Sequence, residues 1–144
     1  MNSIDYAREN KQKHLDELID WLRIPSISTD MAYKPEVQKA ADWLVDSMKT
    51  AGLENIQLIE SPFDLHPLVY ADWLHAGEDK PTVLIYGHFD VQPPDPLELW
   101  DSPPFEPEVR DNNLYARGSS DDKGQTFIHA VSYTHLTLPT ILLV

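Results

Sequence analysis

Apolar residues at Leu15, Leu18, Ile19 and Leu22 recur at the three-and-four spacing of a helix that buries one stripe, and the pattern stops short of Pro25. Ser3 stands ahead of it as a cap, so the spacing predicts a helix from Ser3 to the residues before Pro25, with His14 on its polar face. Ile24 to Thr29 combines a proline with small polar residues and reads as a loop. A second stripe follows at Val37, Ala40, Ala41, Leu44, Val45 and Met48, with Pro35 suited to the first turn and Gly52 to termination. Ile56 to Ile59 and Leu68 to Leu74 are short strands around a loop that holds Pro62 and Pro67.

The run Val83-Leu84-Ile85-Tyr86 is apolar without alternation and partly β-branched or aromatic, which predicts a strand covered on both faces. It ends in His88 and Asp90, two residues apart and so on one side of the strand. The carboxyl ends of strands are where open α/β sheets bind ligands. A stiff loop rich in proline, Val91 to Phe105, covers that end. Glu108 to Ala116 reads as a hairpin turning at Asp111-Asn112-Asn113, because Asn tolerates positive φ. Arg117 to Gly124 then leads into a helix with Gln125 to Ala130 as its first turns, and Gly118 and Gly124 allow close backbone approach. By themselves Asp121 and Asp122 are the N-cap and first-turn acids of that helix. Helices first, then strands with helical returns, predict an α/β fold with a mixed sheet flanked by helices.

Composition narrows the chemistry. The chain has 144 residues, with 11 basic against 24 acidic and a net charge of -13, a balance that argues against nucleic acid or an anionic membrane as partner. There is no cysteine, so a transition metal would be held by imidazole and carboxylate, the donor set of open, catalytic sites. No apolar run approaches the ~20 residues of a membrane span, and a cytoplasmic location is expected.

Three patterns stand in one order: Gly87-His88-Phe89-Asp90-Val91 with Pro93-Pro94, then Trp100 to Phe105, then Leu114-Tyr115-Ala116-Arg117-Gly118 with Asp121-Asp122-Lys123-Gly124. Together they resemble the dinuclear zinc metallopeptidase family of carboxypeptidase G, aminoacylase, succinyl-diaminopimelate desuccinylase and the carnosinase-like dipeptidases. Val91-Gln92-Pro93-Pro94 and the Asp-Asp-Lys-Gly box look most like the dipeptidase branch. The resemblance implies that His88 ligates one zinc ion, that Asp121 bridges two, and that Asp90 is a catalytic residue tuning the ligands from close by. Asp122 and Lys123 would support the ligands or cap the helix, and Arg117 would pair with nearby carboxylates. Asn112 and Ala116 stand where the family often has glycine.

The implied reaction is hydrolysis of a dipeptide or N-acyl amino acid, in which a water between two zinc ions loses a proton to a glutamate and attacks the amide carbonyl. An aminoacylase or desuccinylase is the alternative within the family, and a non-catalytic metal-binding or interaction module the alternative outside it. Family members commonly form homodimers. The family's glutamate pair and later ligands would follow the Asp-Lys-Gly box, beyond this chain, so the 144 residues alone are expected to be inactive. His129 and His135 match no family position. Val131 to Thr140 resembles the translation of a transposon-end sequencing adapter, GTC TCT TAT ACA CAT CTG ACG CTG CCG ACG. The expected organisation is therefore an incomplete metallopeptidase catalytic domain over 1–130 and a non-native tail over 131–144.

Overall fold

The computed structural model describes residues 3–63 and 65–136. The first predicted helix is divided in two, α1 (Ser3–Glu9) and α2 (Lys11–Leu22). Asn10 separates them at φ -99° and ψ 6°, and its side-chain amide donates to the Tyr6 carbonyl at 3.0 Å. A short polar side chain that bonds the preceding turn in this way competes with helical backbone, which the apolar periodicity could not register. Helix α3 (Lys34–Ala51) has Pro35 in its first turn and Gly52 just past its end at φ 84°. Gly52 and Leu53 donate back to the carbonyls of Lys49 and Met48, satisfying two groups that a helix end leaves open.

Helix α4 (Lys123–Leu136) packs against α2 and α3. The core between them gathers Trp21, Ile24, Ala40, Leu44 and Phe127. Trp21 stacks on Trp43 with centroids 5.0 Å apart, and its indole N–H donates to the Ala40 carbonyl at 3.0 Å. Phe127 meets Trp43 at 5.8 Å and the ring of His14 edge-on at 6.4 Å. His14, expected on the polar face, is thus half-buried against α4, and burial lowers its pKa, with Glu17 raising it and Lys13 lowering it to smaller extents.

Strands β1 (Glu54–Ile59) and β2 (Leu68–Asp72) pair antiparallel, with Ile59 opposite Leu68 and an irregularity between Glu54 and Gln57. Strands β3 (Glu108–Arg110) and β4 (Asn113–Tyr115) form the expected hairpin. Asp111 and Asn112 turn it at φ 48° and 62°, the paired positive values of a two-residue hairpin turn. The class is therefore α/β, with the strands of the described residues in two antiparallel pairs.

Val83 to Tyr86 differs from expectation. The segment carries no ladder partner among the described residues, and Val83, Leu84 and Tyr86 are 76%, 87% and 86% exposed. Its composition is that of a two-sided buried strand, yet no described helix or strand covers it. Pairing begins only at its far end, where Ile27 and Val91 make an isolated parallel bridge. That bridge brings the loop after α2 beside the residues that carry the site.

Candidate metal centre

His88 and Asp121, 33 positions apart in sequence, meet with Nε2 of the ring 3.1 Å from the carboxylate Oδ1. The segment after Gly87 delivers one and the turn before α4 the other. Gly87 makes the approach feasible, since a Cβ there would lie 2.3 Å from Thr126 Oγ1 and 3.0 Å from Asp122 Oδ2. Gly124 does the same within the turn, where a Cβ would lie 2.0 Å from the Ser119 carbonyl oxygen. Gly118 adopts φ 87°, and a Cβ on it would press on Val91 at 2.9 Å.

Asp90 occupies the other edge of the His88 ring. Nδ1 donates to the Asp90 carbonyl at 3.2 Å and to its carboxylate Oδ1 at 3.1 Å. This is the arrangement by which an outer carboxylate fixes the tautomer of a ligating imidazole, leaving Nε2 for the metal. Burial draws the His88 pKa down, but hydrogen bonding to the Asp90 backbone, the charge of Asp90 and the nearby Asp121 and Asp122 outweigh it, so the net shift is upward.

Asp122 binds elsewhere. Its Oδ2 accepts the His88 backbone N–H at 3.1 Å and the Thr126 hydroxyl at 3.1 Å, and its carbonyl accepts the Thr126 N–H at 2.9 Å. It therefore locks the His88 segment to the start of α4. The peptide bond between Asp121 and Asp122 is cis. Lys123 is fully buried, and its ammonium donates to the carbonyls of Trp21 at 3.0 Å and Ile24 at 2.7 Å. Burial lowers its pKa to about 7, against an opposing pull from Asp90.

Arg117, expected to pair with carboxylates, instead donates to the Pro93 carbonyl at 3.3 Å and lies 5.1 Å over the Trp100 ring. Trp100 in turn donates to the Pro94 carbonyl at 2.8 Å, so the proline loop is pinned at Pro93 and Pro94. His129 is an exposed residue of α4. The His135 side chain and residues 137–144 lie outside the described residues. The loop Ser26 to Ser28, read from sequence only as a connection, contacts Phe89, Asp90 and Val91 directly. The alternation Ser26-Ile27-Ser28, which puts two hydroxyls on one side of an extended stretch, was the available signal.

Two donors around a tetrahedral zinc ion, each ~2.0–2.2 Å from it, stand ~3.4 Å from one another. The 3.1 Å separation of His88 Nε2 and Asp121 Oδ1 fits such an ion with little adjustment. Among the described residues no group of three His, Cys, Asp or Glu gathers as a metal cage, whereas a structural zinc takes four donors.

Residues 84–137 match Peptidase family M20/M25/M40. Over that stretch the chain is similar to the M20 peptidases. The Cys-Gly metallodipeptidase DUG1 of Candida albicans is 38% identical over 138 residues, an alignment that takes in 83% of this chain and 27% of that protein. The succinyl-diaminopimelate desuccinylase of Methylococcus capsulatus is 56% identical over 52 residues, 36% of this chain and 14% of that protein. Human carnosine dipeptidase 1 superposes with a TM-score of 0.78 at 26% identity, over 92% of this chain and 30% of that structure. The chain thus spans less than a third of the M20 relatives it matches here. His88, Asp90 and Asp121 all lie within the residues that match this metallopeptidase family.

Proposed function

We propose that residues 1–130 form the N-terminal part of the catalytic domain of a zinc-dependent dipeptidase, with His88 and Asp121 as metal ligands and Asp90 as the catalytic residue that orients His88. The observation that carries this reading is the convergence of His88 Nε2 and Asp121 Oδ1 with Asp90 behind the ring. A bound zinc ion would act there as a Lewis acid and make a coordinated water acidic. The residues' own parts are distinct. Asp90 holds the Nδ1 proton of His88, so that the imidazole offers a neutral lone pair at Nε2. Asp121 offers two carboxylate oxygens, the number needed to bridge a pair of ions, which is the role we assign it. Asp122 and Lys123 keep the turn in place from below through His88, Thr126 and the end of α2.

The dipeptidase reading is supported by DUG1 and carnosine dipeptidase 1, and the desuccinylase of M. capsulatus supports N-acyl amino acid hydrolysis as the second reading. A substrate panel of dipeptides, N-acyl and N-succinyl amino acids, run on protein extended through the downstream coding sequence, separates the two. The 144-residue chain alone should hydrolyse none of them, and measurable turnover by the pure chain overturns the half-site reading. We place the protein in the cytoplasm, a location consistent with a chain free of cysteine. Among the described residues no helix is long and apolar enough to cross a membrane.

We further propose that residues 131–144 are translated adapter, a boundary supported by the residue-for-residue match of Val131 to Thr140 to the adapter's translation. Helix α4 itself runs on to Leu136. Genomic reads that encode Val131 to Val144 contiguously with Ala130 would refute it.

A further inference from the structure

The loop after α2 grips the ligand segment at successive residues. The Ser26 hydroxyl donates to the Phe89 carbonyl at 2.6 Å, and the Val91 N–H donates to the Ser26 carbonyl at 2.9 Å. Ser26, Ile27 and Val91 are all buried. This pairing sets Ser28 opposite Asp90, and the Ser28 hydroxyl donates to Asp90 Oδ2 at 2.5 Å. The other oxygen of the same carboxylate accepts from His88 Nδ1. Ser28 is itself held from behind, because His66, in the loop between β1 and β2, donates from Nε2 to the Ser28 carbonyl at 2.8 Å.

We propose that Ser28 is a positioning residue of the metal centre: its hydroxyl holds the Asp90 carboxylate in the orientation that takes the His88 Nδ1 proton, and so keeps Nε2 as the nitrogen that faces Asp121. The inference rests on the reading of His88 as a metal ligand. The need for such a residue is physical. The Asp90 side chain is 41% exposed, and the terminal torsion of an aspartate is broad, so without a second anchor the carboxylate can turn toward water. A ligating imidazole takes its tautomer from the hydrogen bond on its other nitrogen, and loosening that partner weakens the metal bond without touching it. One oxygen of Asp90 goes to Ser28 and the other to His88, so the carboxylate can be fixed at one end while it fixes the ring at the other.

The test is nitrogen NMR of the histidine rings in the metal-free chain, at a pH where His88 is neutral, together with calorimetric titration of zinc. In the unaltered chain His88 is expected as the Nδ1–H tautomer. Ser28→Ala should mix the two tautomers and weaken zinc binding about 10-fold or more, whereas Ser28→Thr, which keeps the hydroxyl, should behave like the unaltered chain. Unchanged His88 nitrogen shifts in Ser28→Ala, or loss of the tautomer preference in Ser28→Thr as well, would overturn the proposal. Should Ser28→Ala not fold, Ser28→Cys carries the same comparison, with the side-chain size nearly kept and the donor weakened. His88→Ala separates the two readings: equal zinc affinity with and without the imidazole removes His88 as a ligand, while the tautomer result still decides the role of Ser28.

Discussion

Lys123 Nζ lies 3.0 Å from the carbonyl oxygen of Trp21, joining residues 102 positions apart at the centre of the molecule. With a second bond to Ile24 O, the ammonium adds a charged donor to two carbonyls around the end of α2 that each also accept one backbone N–H, and it stands next to the turn that presents Asp121. Lys123→Met keeps much of the volume but leaves both carbonyls without this donor. The expected loss is about 1–3 kcal/mol of stability, read as a lower denaturation midpoint at unchanged slope. A midpoint within error of the unaltered chain would show that the two bonds contribute nothing.

Gly87 and Gly124 should respond differently to alanine. At Gly87 the added carbon meets the Thr126 hydroxyl, the end of a side chain, so Gly87→Ala should destabilise and the further change Thr126→Ala should restore part of the loss. At Gly124 it meets the backbone oxygen of Ser119, which no side-chain removal relieves. Gly124→Ala should therefore cost about 1–3 kcal/mol or more, with no rescue. Thermal melts of the two single and two double variants check the pair of statements, and rescue of Gly124→Ala by Thr126→Ala would contradict the assignment.

His14 gives the chain a pH dependence with a definite sign. Its pKa is lowered in the folded state, chiefly by burial, so below the ordinary value of 6.5 the unfolded chain binds more protons than the folded one. The stability associated with His14 is thus fully present above pH 6.5 and is lost as pH falls through the folded pKa. Denaturation curves across that window should show a steeper decline for the unaltered chain than for His14→Gln. Parallel declines would show that the ring is not buried against Phe127.

Val83, Leu84 and Tyr86 are exposed in a segment of strand-forming residues with no ladder partner among the described residues, the combination that promotes edge-to-edge association. The double change Val83→Lys and Leu84→Lys should raise the concentration at which the chain stays monomeric in light scattering. It should leave zinc binding unchanged, since the site begins at His88. Equal aggregation of both proteins would count against the segment as the sticky surface.

How far the sequence foretold this follows the range of the interactions concerned. Gly52, Pro35 and the Asp111-Asn112 turn were legible because their causes lie within a few residues. That His88, Asp90 and Asp121 lie together was foreshadowed only by the family resemblance in their order and type. Ser28 acts on a partner 62 residues away and Lys123 on partners 99 and 102 away, and no local periodicity encodes such pairings. Asn10 broke a helix that its apolar stripe predicted to be continuous. For Val83 to Tyr86, composition foretold burial on two faces, and in a chain spanning less than a third of its M20 relatives no described element supplies the cover.

The most direct measurement on the central claim is zinc titration of the chain followed by the ring nitrogens of its histidines. The account expects His88 Nε2 to take the shift of a coordinated nitrogen before any signal of His14, His66, His75 or His129 moves, and expects Asp121→Asn to weaken that response about 10-fold. Zinc that binds through another histidine first, through His88 Nδ1, or with equal affinity in Asp121→Asn would contradict the assignment of His88 and Asp121 as partners in one metal centre.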